Sequence, residues 1–156
     1  MIAQWLIIDG NNLIHAMPEL IQGTGRDFNT ARQRLVQQLD ELINVIAERI
    51  TVVFDGSYGG QQTGFESSAV EVLFSSASFT ADSVIERLAL HAAERGAATV
   101  VSSDLMERNT VEAGGVHTLS CRLFLEELSR ERANLRRQLG GTGRPSRKNA
   151  LGDFFP

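Results

Sequence analysis

A chain of 156 residues with 42% hydrophobic and 22% charged residues has the size and composition of one soluble globular domain. No apolar run approaches the roughly 20 residues that span a bilayer, and the first residues lack the basic and apolar segments of a signal peptide. The single cysteine, Cys121, excludes an internal disulfide and a cysteine-rich zinc site. We therefore expect a cytoplasmic protein without membrane association.

The net charge of −4 conceals an uneven distribution of charge along the chain. Residues 129–156 carry seven bases and two acids, whereas residues 1–128 carry eight bases and 17 acids. An acidic body with a basic C-terminal arm suits a protein that binds metal ions at one place and a polyanion at another. A solvated terminal helix followed by a disordered tail is the commoner meaning of such a run.

The first predicted element is a buried strand that ends in a carboxylate. Four apolar residues, 5–8, are too few for a core helix and run directly into Asp9. In open α/β sheets, ligands bind at the edge where the strands end. Gly10 permits a sharp backbone turn there, and Asn12 offers a ligand both a carbonyl acceptor and an amide donor. A plain strand end followed by Asn caps explains this stretch alone equally well.

The next predicted elements are a long helix, a second strand and a loop. A capping-box spacing and helical apolar periodicity predict a helix over residues 31–48. Residues 50–54 form the second predicted strand, which again ends in an acid, Asp55. The Gly-rich residues 57–68 predict a mobile loop at the same edge of the sheet as Asp9. This loop contains two aromatic residues that either stack on bases or, more commonly, pack the loop onto the body: Tyr58 and Phe65.

Strands and helices continue to alternate after the loop. Residues 70–74, 98–101 and 116–119 have the composition of short strands, and the last of them is expected at an edge of the sheet. A helix over residues 81–95 follows the third strand, a short helix follows the fourth, and a last helix follows the fifth. This order predicts an α/β fold with a parallel sheet, right-handed crossovers and helices on both faces.

Four aspartates should converge at the edge of the sheet where the strands end. Asp9, Asp55 and Asp104 directly follow strands, and Asp82 opens a helix that leaves the same edge. Glu86 lies four residues after Asp82, so their carboxylates share a helix face. Each acid alone has an ordinary explanation as a cap, a turn residue or a partner of the helix dipole. Together, they place enough like charge in one pocket to favour bound cations, and oxygen ligands favour Mg²⁺ or Mn²⁺.

Metal ions held by carboxylates indicate hydrolysis of phosphodiesters. The sequence contains no P-loop, no dinucleotide fingerprint and no nucleophilic Ser or Cys beside a plausible base. Asp104 and Glu107 have the spacing of an N-cap pair, which is the ordinary explanation of these two residues.

An aspartyl phosphohydrolase with Asp9 as nucleophile is a weaker alternative, because that chemistry usually needs a second Asp two residues on and the chain has Asn11 there.

Several motifs along the chain match one known family: IIDGNNLIHAMPEL, TVVFDG, VEVLFSSASFTADSVIERL, VVSSDLMERN and AGGVHTLSCRLFLEEL. With them, the chain resembles the YacP-like branch of the NYN domains, which are PIN-like ribonucleases. TADSVIE after a strand is the most specific of these motifs, whereas DGNN alone would be weak. Asn11 departs from the aromatic residue of many members, and the tail from Gly140 onward has no counterpart in the family pattern.

The resemblance implies a PIN-like three-layer α/β/α sandwich with a central, mainly parallel sheet. It also implies a metal-dependent endoribonuclease that uses Mg²⁺ or Mn²⁺, with a nuclease domain over residues 1–139 and a basic, flexible tail over residues 140–156. The implied metal ligands are Asp9, Asp55, Asp82, Glu86 and Asp104, and the implied catalytic residues are Asp9, Asp82, Asp104 and Asn12.

The expected substrate is single-stranded RNA, with mRNA and ribosome-associated RNA as candidates and the ribosome as a candidate partner. The basic arm and the loop supply the expected RNA contacts: Arg136, Arg137, Arg144, Arg147, Lys148 and Tyr58. A competing hypothesis is a binding module that kept the fold, lost the chemistry and docks to RNA or a ribosome through the basic arm. The intact acidic set counts against it, because inactivation usually spares folding residues rather than charged ones.

Overall fold

The computed structural model describes residues 1–25, 27–56, 65, 68–94 and 96–143, with side chains described up to residue 140. The chain divides into two compact units, residues 1–124 and residues 125–156. The first unit contains the sheet, and the described part of the second is the continuation of the last helix. None of the described helices combines the length and the apolar character that crossing a bilayer requires.

The described strands are β1 (Trp5–Asp9), β2 (Arg49–Phe54), β3 (Glu71–Phe74), β4 (Ala98–Val101) and β5 (His117–Leu119). They form one sheet in the order β3, β2, β1, β4, β5, and every pairing between them is parallel. The register places Ile8 of β1 beside Val52 of β2 and Val101 of β4, so these strands end close to the level of Asp9. The predicted α/β fold with a parallel sheet is confirmed, and β5 lies at an edge as expected.

The described helices are α1 (Gly10–His15), α2 (Phe28–Asp40), α3 (Ala81–Ala93), α4 (Leu105–Ala113) and α5 (Cys121–Gly143), with a 3₁₀ turn at Pro18–Leu20. The helix predicted over residues 31–48 is wrong at its end, because α2 ends at Asp40 and turns follow. Asn44 has a φ of 69° in these turns, which a continuing right-handed helix excludes. Leu42 and Ile46 are nevertheless buried. The spacing of the apolar residues therefore indicated which side chains are buried and not where the helix ends.

One face of the sheet packs against α3 and determines where Asp9 points. Side chains alternate between the two faces of a strand, so Trp5, Ile7 and Asp9 point to the same side of β1. Trp5 and Ile7 belong to a buried cluster that includes Ile85 and Ala89 of α3. The Asp9 carboxylate is therefore directed to the side of the sheet that α3 covers.

The start of α1 approaches β2 closely on the opposite face. A Cβ atom added to Gly10 would lie 2.4 Å from Cε1 of Phe54 and 2.8 Å from Cγ1 of Val52, so only glycine fits without a shift. The guanidinium of Arg32 in α2 lies 5.5 Å from the centroid of the same Phe54 ring. Helices α1 and α2 thus flank one face of the sheet and α3 the other, which gives the layered arrangement that the sequence predicted.

Candidate metal centre

Three carboxylates from three different elements converge at the edge of the sheet where the strands end. They belong to Asp9 at the end of β1, Asp82 in the first turn of α3 and Glu107 in the first turn of α4. One oxygen atom from each of them lies within 4.8 Å of the others. We call these three residues the carboxylate centre. Such a set of converging oxygen ligands has the chemistry that Mg²⁺ or Mn²⁺ requires.

Asp9 is fixed by its position between β1 and α1. The residue is 4% exposed, and its Oδ1 atom accepts a hydrogen bond of 3.1 Å from the backbone N–H of Asn12. This bond caps α1, which begins immediately after Asp9. Helix α1 thus holds one carboxylate oxygen of the buried residue in place.

Asp82 is placed by the cap of α3. The hydroxyl of Thr80 accepts a hydrogen bond of 3.1 Å from the backbone N–H of Ser83 and fixes the first turn of the helix. Asp82 is exposed, whereas Ile85 of the next turn is buried in the core. The packing of α3 on the sheet therefore brings Asp82 to the margin of the face that carries Asp9.

Glu107 was not predicted as a metal ligand. Its side chain can serve as one because it does not take part in the cap of α4, contrary to what the sequence spacing predicts. Asp104 caps the helix as expected, since its Oδ1 atom accepts from the N–H groups of Met106 at 3.0 Å and Glu107 at 3.3 Å. In a capping box, the Glu107 side chain would accept from the Asp104 N–H. That N–H donates instead to Oγ of Ser102 at 3.0 Å. The Glu107 carboxylate is thereby freed from the cap and belongs to the carboxylate centre.

The Glu107 carboxylate is buried without adequate compensation. The residue is 3% exposed, and neither of its oxygen atoms meets the geometry of a hydrogen bond with any residue in the described ranges. A buried carboxylate without hydrogen bonds costs free energy unless it is protonated or a cation neutralises it. The three ligands and the two unsatisfied oxygens of Glu107 therefore fit a divalent cation.

The pKa values of two members of the centre show the same electrostatic cost. Burial raises the pKa of Asp9 to about 6, and the negative charges of Asp82 and Asp104 contribute to the increase. Burial raises the pKa of Glu107 to about 9, the side chain of Asp82 and the negative charges of Asp82 and Asp9 raise it further, and the side chain of Ser102 opposes the increase. Like charges at close range oppose ionisation, and a bound cation reverses that effect.

Asn12 connects the end of β1 with the end of β4. Its Oδ1 atom accepts hydrogen bonds from Oγ of Ser102 at 3.1 Å and from the backbone N–H of Ser103 at 2.9 Å. The same Ser102 hydroxyl accepts the N–H of Asp104. Asn12 therefore lies in a chain of hydrogen bonds that leads from the Asp9 turn to the cap of α4 and so to Glu107.

Three of the five predicted ligands lie outside the carboxylate centre: Asp104, which caps α4, Asp55 and Glu86. Oδ1 of Asp55 accepts from Oγ of Ser75 at 3.4 Å, and the Asp55 carbonyl accepts from Nη2 of Arg32 at 2.8 Å. The Asp55 N–H donates to Oδ1 of Asn11 at 3.1 Å, which gives a structural role to the residue that departs from the family pattern. Glu86 borders a mainly apolar cavity of about 240 Å³ between α3 and α4.

The predicted RNA contacts are only partly covered by the described residues. Arg136 and Arg137 are exposed on α5, whereas four of the predicted contacts lie outside the described residues: Tyr58, Arg144, Arg147 and Lys148. Phe65, the second aromatic residue of the predicted loop, has its ring centroid 6.1 Å from that of Phe54 and 5.9 Å from that of Phe74. Its surroundings favour the alternative in which one loop aromatic packs onto the body.

Comparisons with known proteins identify the family and the fold of the chain. The model of the YacP-like NYN domain family matches residues 6–153. Uncharacterized protein YacP of Bacillus subtilis (strain 168) is 34% identical over 127 residues, which cover 79% of this chain and 74% of that protein. A crystal structure of a mutant of Rae1 (YacP) from Bacillus subtilis has a TM-score of 0.73 at 27% identity and covers 97% of this chain and 89% of that one. A second Rae1 (YacP) structure has a TM-score of 0.70 at 29% identity and covers 96% and 88%.

Proposed function

Because the chain belongs to the YacP-like NYN domain family, a family related to the PIN-like nucleases, we propose that it is a divalent-metal-dependent endoribonuclease. The proposed substrate is single-stranded RNA, which the enzyme cuts internally by hydrolysis of a phosphodiester bond. The proposed cofactor is Mg²⁺ or Mn²⁺, and the proposed location is the cytoplasm. The ribosome remains a candidate partner.

The observation that carries this proposal is the convergence of Asp9, Asp82 and Glu107 within 4.8 Å. Two of these residues are nearly fully buried, and neither oxygen of Glu107 meets the full geometry of a hydrogen bond within the described part of the chain. A fold that needed only stability would gain from replacing these acids with apolar or neutral residues. A destabilising arrangement of this kind is expected where acids hold a cation for function.

We propose separate roles for the residues of the site. Asp9, Asp82 and Glu107 would hold the divalent cation, which, when bound, polarises the phosphate and lowers the pKa of an attacking water. Asp104 holds the first turn of α4 and thereby orients Glu107. Asn12 acts through its hydrogen bonds to residues 102 and 103, which fix the loop between β4 and α4. Asp55 and Glu86 remain candidates for further ligands or for water-mediated contacts.

The basic arm supplies a separate part of the proposal. Arginine side chains grip phosphates in a bidentate manner, and the acidic body otherwise repels an RNA backbone. The exposed Arg136 and Arg137 are therefore proposed to attract RNA, together with the three bases of the tail. A catalytically inactive RNA- or ribosome-binding module would share this arm but would have no need for the carboxylate centre.

The proposed activity is tested by incubating the purified protein with a long single-stranded RNA labelled at its 5′ end. We expect internal cleavage with Mn²⁺ or Mg²⁺ and none with EDTA. Asp82→Asn should lower the rate at least about 100-fold, since removing a metal ligand weakens the stabilisation of transition-state charge by several kcal/mol. Shortening from one end only would indicate an exonuclease instead.

A matched control removes a carboxylate elsewhere. Glu41→Gln deletes one exposed negative charge after the end of α2 and should leave the cleavage rate within about two-fold of the wild-type rate, since an isolated surface charge contributes little. Cleavage that persists in EDTA, or in Asp82→Asn at the wild-type rate, contradicts the proposal. RNA binding without any cleavage would favour the inactive binding module.

A further inference from the structure

The turn that leads into α3 presents an exposed aromatic ring shortly before Asp82 in the chain. Phe79 is 43% exposed and lies three residues before Asp82. Within the described ranges, it is the only phenylalanine, tyrosine or tryptophan among the exposed large hydrophobic side chains. Three residues of chain span at most about 11 Å, so an extended ligand bound at the centre can also reach the ring.

The backbone that carries Phe79 is held on both sides. The N–H of Ser76 donates to the carbonyl of Phe79 at 2.9 Å, and the N–H of Phe79 donates to Oγ of Ser76 at 3.2 Å. Immediately afterwards, Thr80 caps α3 through the N–H of Ser83. These hydrogen bonds hold the backbone around the ring in place. A ligand that contacts the ring therefore loses little binding free energy to ordering of the turn.

A cation completes this surface. The guanidinium carbon of Arg87 in α3 lies 4.3 Å from the centroid of the Phe79 ring. No carboxylate in the described part of the chain forms a salt bridge with this arginine. An aromatic ring beside an arginine is a combination with which proteins bind a base and its phosphate in single-stranded RNA.

We propose that Phe79 and Arg87 form a subsite for one nucleotide of the RNA substrate. The base stacks on the exposed part of the Phe79 ring, and Arg87 contacts a neighbouring phosphate. This inference rests on the proposed function, because the RNA that binds the subsite is the RNA that the carboxylate centre would cut. Its consequence is that one nucleotide near the scissile phosphate is held by stacking, which accepts any base.

A structural role for Phe79 makes a different prediction. Phe79 precedes the cap residue Thr80, and Val84 occupies the position with which a residue before the cap forms a hydrophobic staple. In that case, changes at Phe79 alter the stability of α3 and leave RNA affinity unaltered. Phe79→Leu separates the two roles, because leucine keeps an apolar side chain for the staple but has no π face.

The test measures binding of a fluorescently labelled octauridylate by anisotropy, with Ca²⁺ replacing Mn²⁺ and with intact RNA verified on a gel. We expect Phe79→Leu to weaken binding about 5- to 50-fold, Arg87→Gln to weaken it about 3- to 10-fold, and Phe79→Trp to preserve or tighten it. Leu90→Ala is the matched control. It removes an apolar side chain that is 65% exposed from the same helix, about 12 Å along the axis from Asp82, and should change affinity less than two-fold.

A set of octauridylates, each with one abasic position, tests whether a base contacts the ring. At one position, the loss of the base should weaken binding to the wild-type protein and have no further effect on Phe79→Leu. Wild-type affinity of Phe79→Leu, or equal losses from abasic sites in both proteins at every position, overturns this inference even if the wild type cuts RNA in Mn²⁺. If the wild type neither binds nor cuts RNA, the proposed function fails as well.

Discussion

At the scale of single residues, the centre depends on a glutamate that the cap of α4 releases. In a capping box, the Asp104 N–H would donate to the glutamate side chain, but here it donates to Oγ of Ser102. The Glu107 side chain is therefore buried with two oxygen atoms that meet no hydrogen-bond geometry within the described part of the chain. This arrangement destabilises the metal-free protein, because burial disfavours the charge of Glu107. A bound cation would neutralise that charge. Function and stability are therefore opposed at this residue.

Glu107→Gln tests that opposition. The substitution removes a carboxyl group whose pKa burial raises to about 9. In metal-free buffer at pH 7, we expect the variant to be more stable by about 1–3 kcal/mol in urea unfolding, while metal-dependent RNA cleavage falls at least about 100-fold. A variant that is less stable than the wild type, or one that cuts RNA at the wild-type rate, contradicts the assignment of Glu107.

Sequence patterns predicted part of this centre for a clear reason. Asp9 follows a run of apolar residues and Asp82 follows a helix cap, so the order of elements alone brings both to one edge of the sheet. Glu107 gave no such signal, because its spacing from Asp104 has an ordinary explanation in a capping box. Only the hydrogen bond from Asp104 to Ser102 shows that the box is not formed. The roles assigned to Asp55, Glu86 and Asp104 remain predictions.

At the scale of elements, the position of the centre depends on how closely α1 packs against β2. Asp9 caps α1, and Gly10, the first residue of that helix, faces Phe54 and Val52 without room for a Cβ atom. Both Phe54 and Val52 are fully buried, so neither side chain can move far. The glycine therefore fixes the distance between the helix and the sheet beside the carboxylate.

Gly10→Ala should displace α1 from β2. The added methyl group overlaps the Phe54 ring, and we expect a loss of about 1–3 kcal/mol in urea unfolding despite the better helix propensity of alanine. Gly140→Ala is the control, because its Cβ would meet no atom within 4 Å and it should stabilise the protein by up to about 1 kcal/mol. Equal stability of Gly10→Ala and the wild type would show that the close approach is not constraining.

The elements were predicted unevenly, and the reasons are physical. Strands β1, β2 and β4 are short and mostly buried, and an acid or a glycine lies near their ends, so they agree closely with the predicted ranges. The end of α2 was missed because Leu42 and Ile46 continue the apolar spacing through turns in which both side chains are buried. Periodicity reports which side chains face the core, and it cannot distinguish a helix from turns that bury the same positions.

At the scale of the whole molecule, the carboxylate centre should make stability depend on pH. The raised pKa values of Asp9 and Glu107 mean that the folded protein binds more protons than the unfolded chain above about pH 4, so the free energy of unfolding falls as pH rises. The lowered pKa values of Asp27 and Glu71 act oppositely, since their contribution is lost only as the pH falls below their usual range.

Urea unfolding at pH 5, 7 and 9 checks this expectation. In EDTA, we expect stability to fall by several kcal/mol from pH 5 to pH 9, and saturating Mg²⁺ should remove most of the loss because it binds the ionised carboxylates. Glu107→Gln should show a shallower decline in EDTA than the wild type. Stability that rises with pH in EDTA would contradict the electrostatic account of the centre.

The basic tail should control the salt dependence of RNA binding. Deleting residues 144–156 removes three bases, Arg144, Arg147 and Lys148, and leaves α5 (Cys121–Gly143) whole. With about 0.7 counterions released per phosphate contact on single strands, the slope of log K against log salt should flatten by up to about two units, while metal-dependent cleavage persists. A full-length chain in which the three bases are changed to Gln should show the same flattened slope as the truncated chain. An unaltered slope in both proteins would show that the tail does not bind the RNA backbone.

The central claim is that Asp9, Asp82 and Glu107 bind a divalent cation, and anomalous diffraction from a crystal soaked in Mn²⁺ measures this most directly. We expect an anomalous peak with carboxylate oxygens of all three residues at about 2.0–2.3 Å, as is usual for hard cations of this size. Asp82→Asn crystals soaked in the same way should show a weaker peak or none. The absence of a peak in the wild type at a Mn²⁺ concentration that supports RNA cleavage, or a peak bound by other residues, would contradict the account.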